Sequence, residues 1–272
     1  MSDSGPDSGT PVAPKPDSSC ADRIYPSPNH GERRGVERPD SIILHYTGMP
    51  NASEALLWLA NPVSEVSCHY FVFEDGRIWQ MVPESRRAWH AGKSSWHGET
   101  DMNSRSIGIE IANAGHDLSK MPPQPGEYPD FPDEQIEAVI RLVADIKARW
   151  AIPDARILAH SDIAPGRKVD PGERFPWEKL AASGLGLWPK TVPQHPAALA
   201  AYRAGDEGMP VAALQSMLAK FGYGIEISGV YDQRTVDVVT AFQRHWRRER
   251  VDGVADGETL GVLRQLYSAA TT

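Results

Sequence analysis

Apolar residues recur at every second position in several short runs of the chain: SIILHY at 41 to 46, CHYFVF at 68 to 73, RIWQMV at 77 to 82 and SIGIEIA at 106 to 112. A period of two is the mark of β-strands that bury at least one face. In SIGIEIA, Ile107, Ile109 and Ile111 share one face, which leaves Gly108, Glu110 and Ala112 on the other. In SIILHY, Ile42, Leu44 and Tyr46 form the apolar face and His45 lies opposite with Ile43. RILAH at 156 to 160 predicts one more strand, ending at His160. Helical spacing appears between these runs. SEALLWLAN at 53 to 61 starts on a capping serine, and DEQIEAVIRLVADIKARW at 133 to 150 repeats apolar residues at Ile136, Val139, Ile140 and Val143 behind an acidic first turn. Strands interleaved with helices predict an α/β layered domain.

Past residue 190 the period changes. MPVAALQSMLAKFGY, RTVDVVTAFQRHW and GETLGVLRQLY read as three helices punctuated by glycine and aspartate, with Leu214, Leu218, Val238, Phe242, Leu260 and Leu263 as their core. The expected organisation is a disordered tail over 1–20, rich in Ser, Pro, Asp and Gly, then a domain over 21–190. A Pro- and Ala-containing linker over 191–204 and an all-α three-helix domain over 205–268 complete it. The larger domain is expected to hold a mixed central β-sheet flanked by helices. The Pro- and Gly-rich stretch 117–132 predicts a loop over the cleft.

Composition narrows the function classes. Hydrophobic residues make up 40% of the 272, enough for a sizeable core, so wholesale disorder is excluded. A formal net charge of −8 argues against nucleic acid or an anionic membrane surface as partner, although HWRRER at 245 to 250 is a local basic patch. No run approaches the roughly 20 apolar residues of a membrane-spanning helix, so no membrane insertion is expected. The two cysteines, Cys20 and Cys68, do not make a disulfide framework. No apolar signal segment is seen at the N-terminus, which predicts a cytoplasmic protein, with a periplasmic one as the alternative if the start is a processed one.

The candidate chemistry gathers on a few side chains. HSDIAPGRKVDPG at 160 to 172 puts His160, Lys168 and Asp170 on one loop. A catalytic zinc takes three protein ligands and leaves a position open, so two ligands on this loop need a third, for which His45 at a strand end is the candidate. The alternative is a core histidine at 45 and a simple His160–Asp170 hydrogen bond. Glu110, mid-strand on a face of small residues, is costly unless paired or used. It is either a general base beside a metal or the buried partner of Arg105. Lys168 is either an oxyanion-stabilising cation or a surface lysine. In RRAWHAG, Arg87, Trp89 and His90 suit a peptide carboxylate and a sugar, or else pack a loop.

The runs SIILHYTG, SCHYFVFEDGRIWQMVPE, RRAWHAG, SIGIEIAN and ILAHSDIAPGRKVDPG, in this order, resemble the zinc-dependent N-acetylmuramoyl-L-alanine amidases of the amidase-2 type, relatives of peptidoglycan-recognition proteins and phage lysozyme-type amidases. The resemblance covers about residues 24 to 189. It implies one Zn2+ ion held by His45, His160 and Asp170, with Glu110 as proton acceptor and Lys168 as transition-state stabiliser. Substrate contacts are expected from Arg87, His90 and Asn113, and His69 is expected near the site in a supporting or packing role. The C-terminal segment resembles the three-helix peptidoglycan-binding domain in its LQ, GVYDQRT and AFQ motifs. The implied activity is hydrolysis of the amide between N-acetylmuramic acid and L-alanine of the stem peptide, in peptidoglycan turnover or recycling, with muropeptides or peptidoglycan as partners. Whether the sugar is the 1,6-anhydro form stays open. The competing readings are a non-catalytic muropeptide-binding or sensing protein and a zinc carboxypeptidase acting on D-Ala-D-Ala stems.

Overall fold

The computed structural model describes residues 15–119, 127–190 and 201–270. Eight strands and eight α-helices alternate along these segments. The strands are β1 (Arg23–Ile24), β2 (His30–Glu32), β3 (Ser41–Tyr46), β4 (Tyr70–Val72), β5 (Ile78–Gln80), β6 (Arg86–Ala88), β7 (Ser106–Ile111) and β8 (Ile157–Ala159). The helices are α1 (Ala52–Leu59), α2 (Met102–Arg105), α3 (Asp133–Trp150), α4 (His160–Ile163), α5 (Trp177–Ala182), α6 (Met209–Phe221), α7 (Gln233–Trp246) and α8 (Gly257–Ala270). Six strands form one mixed sheet in the order β1-β5-β4-β7-β3-β8, in which only the β4–β5 pairing is antiparallel. Strands β2 and β6 pair separately.

The alternation in β3 and β7 becomes a two-faced sheet. Ile42, Leu44, Tyr46, Ile107, Ile109 and Ile111 pack under α3 through Ile136, Val139, Leu142, Val143 and Ile146. The opposite face is covered as well. Ile43, Leu158 and Ile163 belong to one apolar cluster with Trp96, Met102 and the interior of α6–α8, including Val211, Leu214, Val238, Phe242 and Leu263. The helical unit therefore shares a core with the sheet and does not hang apart from it. Leu260 is only partly buried at the edge of this cluster.

Three local expectations differ from the structure. Helix α1 is capped by Asn51, whose side chain accepts from the Glu54 amide, so the cap lies ahead of Ser53. Residues 17 and 18, assigned to a disordered tail, are packed: Ser18 is buried, and Asp17 accepts from Gln80 and from the Glu84 amide. Residues 1–14 and 191–200, and with them most of the tail and linker, lie outside the described residues, as does 120–126 of the insert. The basic patch at 245 to 250 is neutralised by its neighbours: Arg247 pairs with Asp256 and Glu258, Arg248 with Glu178, and Arg250 with Asp252. Among the described residues no helix is long and apolar enough to cross a membrane.

Candidate active site

The parallel register of β3 and β7 sets His45 opposite Glu110, and β8 delivers His160 from the next position across the sheet. The loop after α4 then curls back, with the Ser161 amide donating to the Asp170 carbonyl over 3.0 Å. His45, His160 and Asp170, all buried, converge: His45 Nδ1 lies 2.9 Å from His160 Nδ1, and the two are 3.0 and 2.9 Å from Asp170 Oδ2.

The outer hydrogen bonds decide which ring nitrogens carry protons. Ser106 Oγ lies 2.5 Å from the Met102 carbonyl oxygen, so the hydroxyl proton sits between them. Ser106 Oγ must then accept from His90 Nε2 at 3.2 Å. That leaves a lone pair on His90 Nδ1, which accepts from His45 Nε2 at 3.0 Å. His45 is thus the Nε2–H tautomer with its Nδ1 lone pair turned inward. His160 reaches the same state more simply, because its Nε2 donates to the Ala91 carbonyl at 3.0 Å. Two imidazole lone pairs and a carboxylate face one another with no proton among them, an arrangement that a divalent cation satisfies. Burial and the neighbouring His160 bring His45 down to about 4, so its ring is neutral at neutral pH. Burial opposes ionisation of Asp170, but His160 and His45 outweigh it and hold the carboxyl well below its usual range.

A cavity of about 350 Å³ opens over this group, within the range of small-ligand sites. Glu110, Lys168, His45, His160, Asp170 and Trp89 line it. Glu110 Oε2 is buried without a hydrogen-bond partner among the described residues. Burial raises the Glu110 carboxyl well above its ordinary value, the charge of Asp170 adds to this, and Lys168 opposes it. Arg105 does not pair with Glu110; it pairs with Asp40 and Glu99. Leu118, from the start of the insert, reaches the cavity, and Tyr128 at its far end donates to the Pro171 carbonyl beside Asp170.

The structure does not bring all the expected substrate residues together. Arg87 is held by Asp101 at 2.8 Å and is absent from the cavity lining. Asn113 also lies outside it, its side chain donating to the Pro129 carbonyl and accepting from the Gly115 amide. His90 touches the lining, but both of its ring nitrogens are engaged by His45 and Ser106, so it holds the His45 ring and is not free to meet substrate. His69 is fully buried one layer further back, accepting from the Gly108 amide and donating to the Arg86 carbonyl. Ser106 and Gly108 had no assigned role in the sequence reading. Gly108 provides room: a Cβ there would lie 2.4 Å from His90 Cγ.

Comparison with known proteins meets this geometry. Residues 35–173 match the N-acetylmuramoyl-L-alanine amidase family, and residues 207–263 match the peptidoglycan-binding family PG_binding_1. The chain belongs to the N-acetylmuramoyl-L-alanine amidase family. It is 38% identical over 232 residues to N-acetylmuramoyl-L-alanine amidase AmiD of Escherichia coli K12, covering 83% of this chain and 81% of that protein. It is 30% identical over 177 residues to 1,6-anhydro-N-acetylmuramyl-L-alanine amidase AmpD of Enterobacter cloacae, covering 59% of this chain and 88% of that protein. The solved E. coli AmiD complex with anhydro-N-acetylmuramic acid-L-Ala-D-gamma-Glu-L-Lys superposes with a TM-score of 0.74 at 36% identity, over 87% of this chain and 93% of that one. Pseudomonas aeruginosa AMPDH3 in complex with anhydromuramic pentapeptide gives 0.72 at 28% identity, over 90% and 96%. The protein is an amidase that hydrolyses the bond between N-acetylmuramic acid and L-alanine of the stem peptide, with muropeptides or peptidoglycan as its partners.

Proposed function

We propose that the amidase is zinc-dependent, that Glu110 moves the protons and that Lys168 stabilises the oxyanion. His45 and His160, through Nδ1, and Asp170, through its carboxylate, are the residues that would hold the ion, and their two nitrogens and one oxygen match the ligand preferences of catalytic zinc. When bound, zinc polarises a carbonyl and lowers the pKa of water toward about 7. The observation that carries the reading is Glu110: a half-buried side chain whose Oε2 is buried and has no partner among the described residues, lining the same cavity as the three converging ligands.

Glu110 accepts the proton that the attacking water loses as a C–O bond forms to the lactyl carbonyl carbon. The raised affinity of this carboxyl for protons lets it return one to the departing α-amine of L-alanine as the C–N bond breaks. Lys168, on the cavity wall beside Asp170, presents its ammonium to the carbonyl oxygen as negative charge builds there. Met49, Trp58, Leu59, Val66 and Trp89 give the cavity an apolar side on which a sugar ring can rest while the stem peptide runs outward. The likeness to two proteins solved with anhydromuramyl peptides supports the 1,6-anhydro sugar as an accepted form.

Glu110→Gln is the test. It keeps the size of the side chain and removes the base, so kcat should fall by roughly 10²- to 10⁴-fold while zinc affinity stays within about twofold of wild type. Near-full turnover in this variant would remove Glu110 from the mechanism.

A further inference from the structure

We propose that Asp162 is a positioning residue for the metal ligand His160, and that the helical unit, by clamping Asp162 through Tyr223 and His245, is a working part of the metal site. The inference rests on the zinc reading above.

Helix α4 is only four residues long, and His160 is its first. Its C-terminal bond runs from the Ala164 amide to the His160 carbonyl at 3.0 Å, and one turn of helix is far too short to hold itself in place. What surrounds α4 must fix His160. Asp162, two residues on, is fully buried and receives three donors. Its Oδ2 accepts from the Ala159 amide at 2.8 Å and from His245 Nδ1 at 2.6 Å, and its Oδ1 accepts from the Tyr223 hydroxyl at 2.7 Å. The first of these ties the carboxylate to the strand end that precedes His160. The other two come from the helical unit, from α7 and from the turn after α6. A buried carboxylate bound this way is strongly directional, because hydrogen bonds to a charged acceptor are roughly twice as strong as neutral ones.

The clamp is itself rigid. The His245 ring lies between Trp177 of α5 and Trp246, with centroid separations of 3.6 and 3.7 Å. Tyr223 is buried and packs edge-on against Trp96 at 5.0 Å. The helical unit grips the metal loop at further points. Arg234 of α7 donates to the Pro165 carbonyl at 2.9 Å, and Arg248, just past α7, donates to the Glu173 carbonyl at 2.7 Å. Between them Gly166, at a φ of 78°, passes so close to α7 that a Cβ would sit 2.3 Å from the Asp237 carboxylate. Both ends of the segment carrying His160 and Asp170 are therefore seated on α7 and its neighbours. A helical unit that only anchored the enzyme to its polymer would have no need of a buried polar contact beside a metal ligand.

The test uses the full chain with Zn2+ as probe, titrated against a chromophoric chelator of known affinity. Tyr223→Phe deletes one donor with almost no change of shape. His245→Phe deletes the other and leaves an aromatic ring between the two tryptophans. Leu263→Ala, in the buried core of the helical unit and with no polar group to offer Asp162, reports on loss of stability without deleting a donor. The expected result is a weakening of zinc affinity of about threefold or more for Tyr223→Phe and 10- to 100-fold for His245→Phe, the range for residues behind metal ligands. Leu263→Ala should bind zinc as wild type does even where its unfolding midpoint is lower. Zinc binding in both clamp variants within twofold of wild type would overturn the proposal, as would an equal weakening in Leu263→Ala. If His245→Phe does not fold, Tyr223→Phe decides by the same two outcomes. A wild-type chain that binds no zinc would instead overturn the metal reading itself.

Discussion

Replacing His90 with phenylalanine keeps the shape of the ring and removes both nitrogens, so the chain of hydrogen bonds that sets the tautomer of His45 is cut. In the native site the Met102 carbonyl orients Ser106, Ser106 fixes His90, and His90 takes the Nε2 proton of His45. His45 is 1% exposed, so in the variant its Nε2–H is left buried without an acceptor, at a cost of about 1–3 kcal/mol. The ring has a way to avoid that cost. It can move the proton to Nδ1 and donate to Asp170 Oδ2, 3.0 Å away. A hydrogen bond to a charged group is worth about 1.5–3 kcal/mol, and metal binding would have to break it. Either route weakens binding by at least about tenfold, since 1.4 kcal/mol is a factor of ten. The assay is zinc affinity by chelator competition, with thermal unfolding of the metal-free chain as a control for folding. Gly108→Ala should cause a similar loss without touching either histidine chemically, because its Cβ would displace the His90 ring. Wild-type zinc affinity in a folded His90→Phe chain would refute the tautomer argument.

Other outcomes follow from the same geometry. Lys168→Met should lower kcat by roughly 10²- to 10³-fold with zinc still bound, measured by steady-state release of peptide from a muropeptide. The metal-free chain should lose stability in acid through His69, which burial and Arg33 bring down from 6.5 to about 3. The unfolded chain takes up this proton near 6.5 and the folded one only near 3, so stability falls as pH drops through that window, by about 2 kcal/mol at pH 5. In His69→Gln this part of the acid sensitivity should be missing, as read by urea unfolding at pH 7.5 and pH 5.

Three of the candidate site residues, His45, Glu110 and His160, were legible in the sequence because each stands at a strand end or on a patterned face. His45 and Glu110 sit on the second faces of β3 and β7 among apolar or small residues, where an unused polar group would be costly, and His160 ends the run that became β8. Their convergence depends on the register between parallel strands far apart in the chain, which periodicity does not encode. The same gap explains His90. In sequence it sits between Trp89 and Ala91 in a loop, like a residue meant for substrate. Only the sheet reveals that β7 carries a glycine at 108 so that the His90 ring can lie against it and reach His45. Arg87 and Asn113 illustrate the reverse, since these polar side chains near a site are satisfied by Asp101 and by the Pro129 carbonyl. The contact between Asp162 and His245 joins residues 83 apart in two differently patterned halves of the chain. Nothing local to either residue announces it. The three-helix pattern was clear, but the sharing of its core with the sheet was not, because an apolar helix face reads the same whether it meets another helix or a strand.

The most direct test of the account is mass spectrometry of an N-acetylmuramoyl tripeptide digested by the full chain in H₂¹⁸O, before and after metal removal. The account predicts a free peptide beginning at L-alanine, one ¹⁸O in the lactyl carboxylate of the sugar fragment, loss of the reaction on chelation and its return with added Zn2+. Label in any other product, or undiminished cleavage by a chain shown to be free of metal, would contradict it.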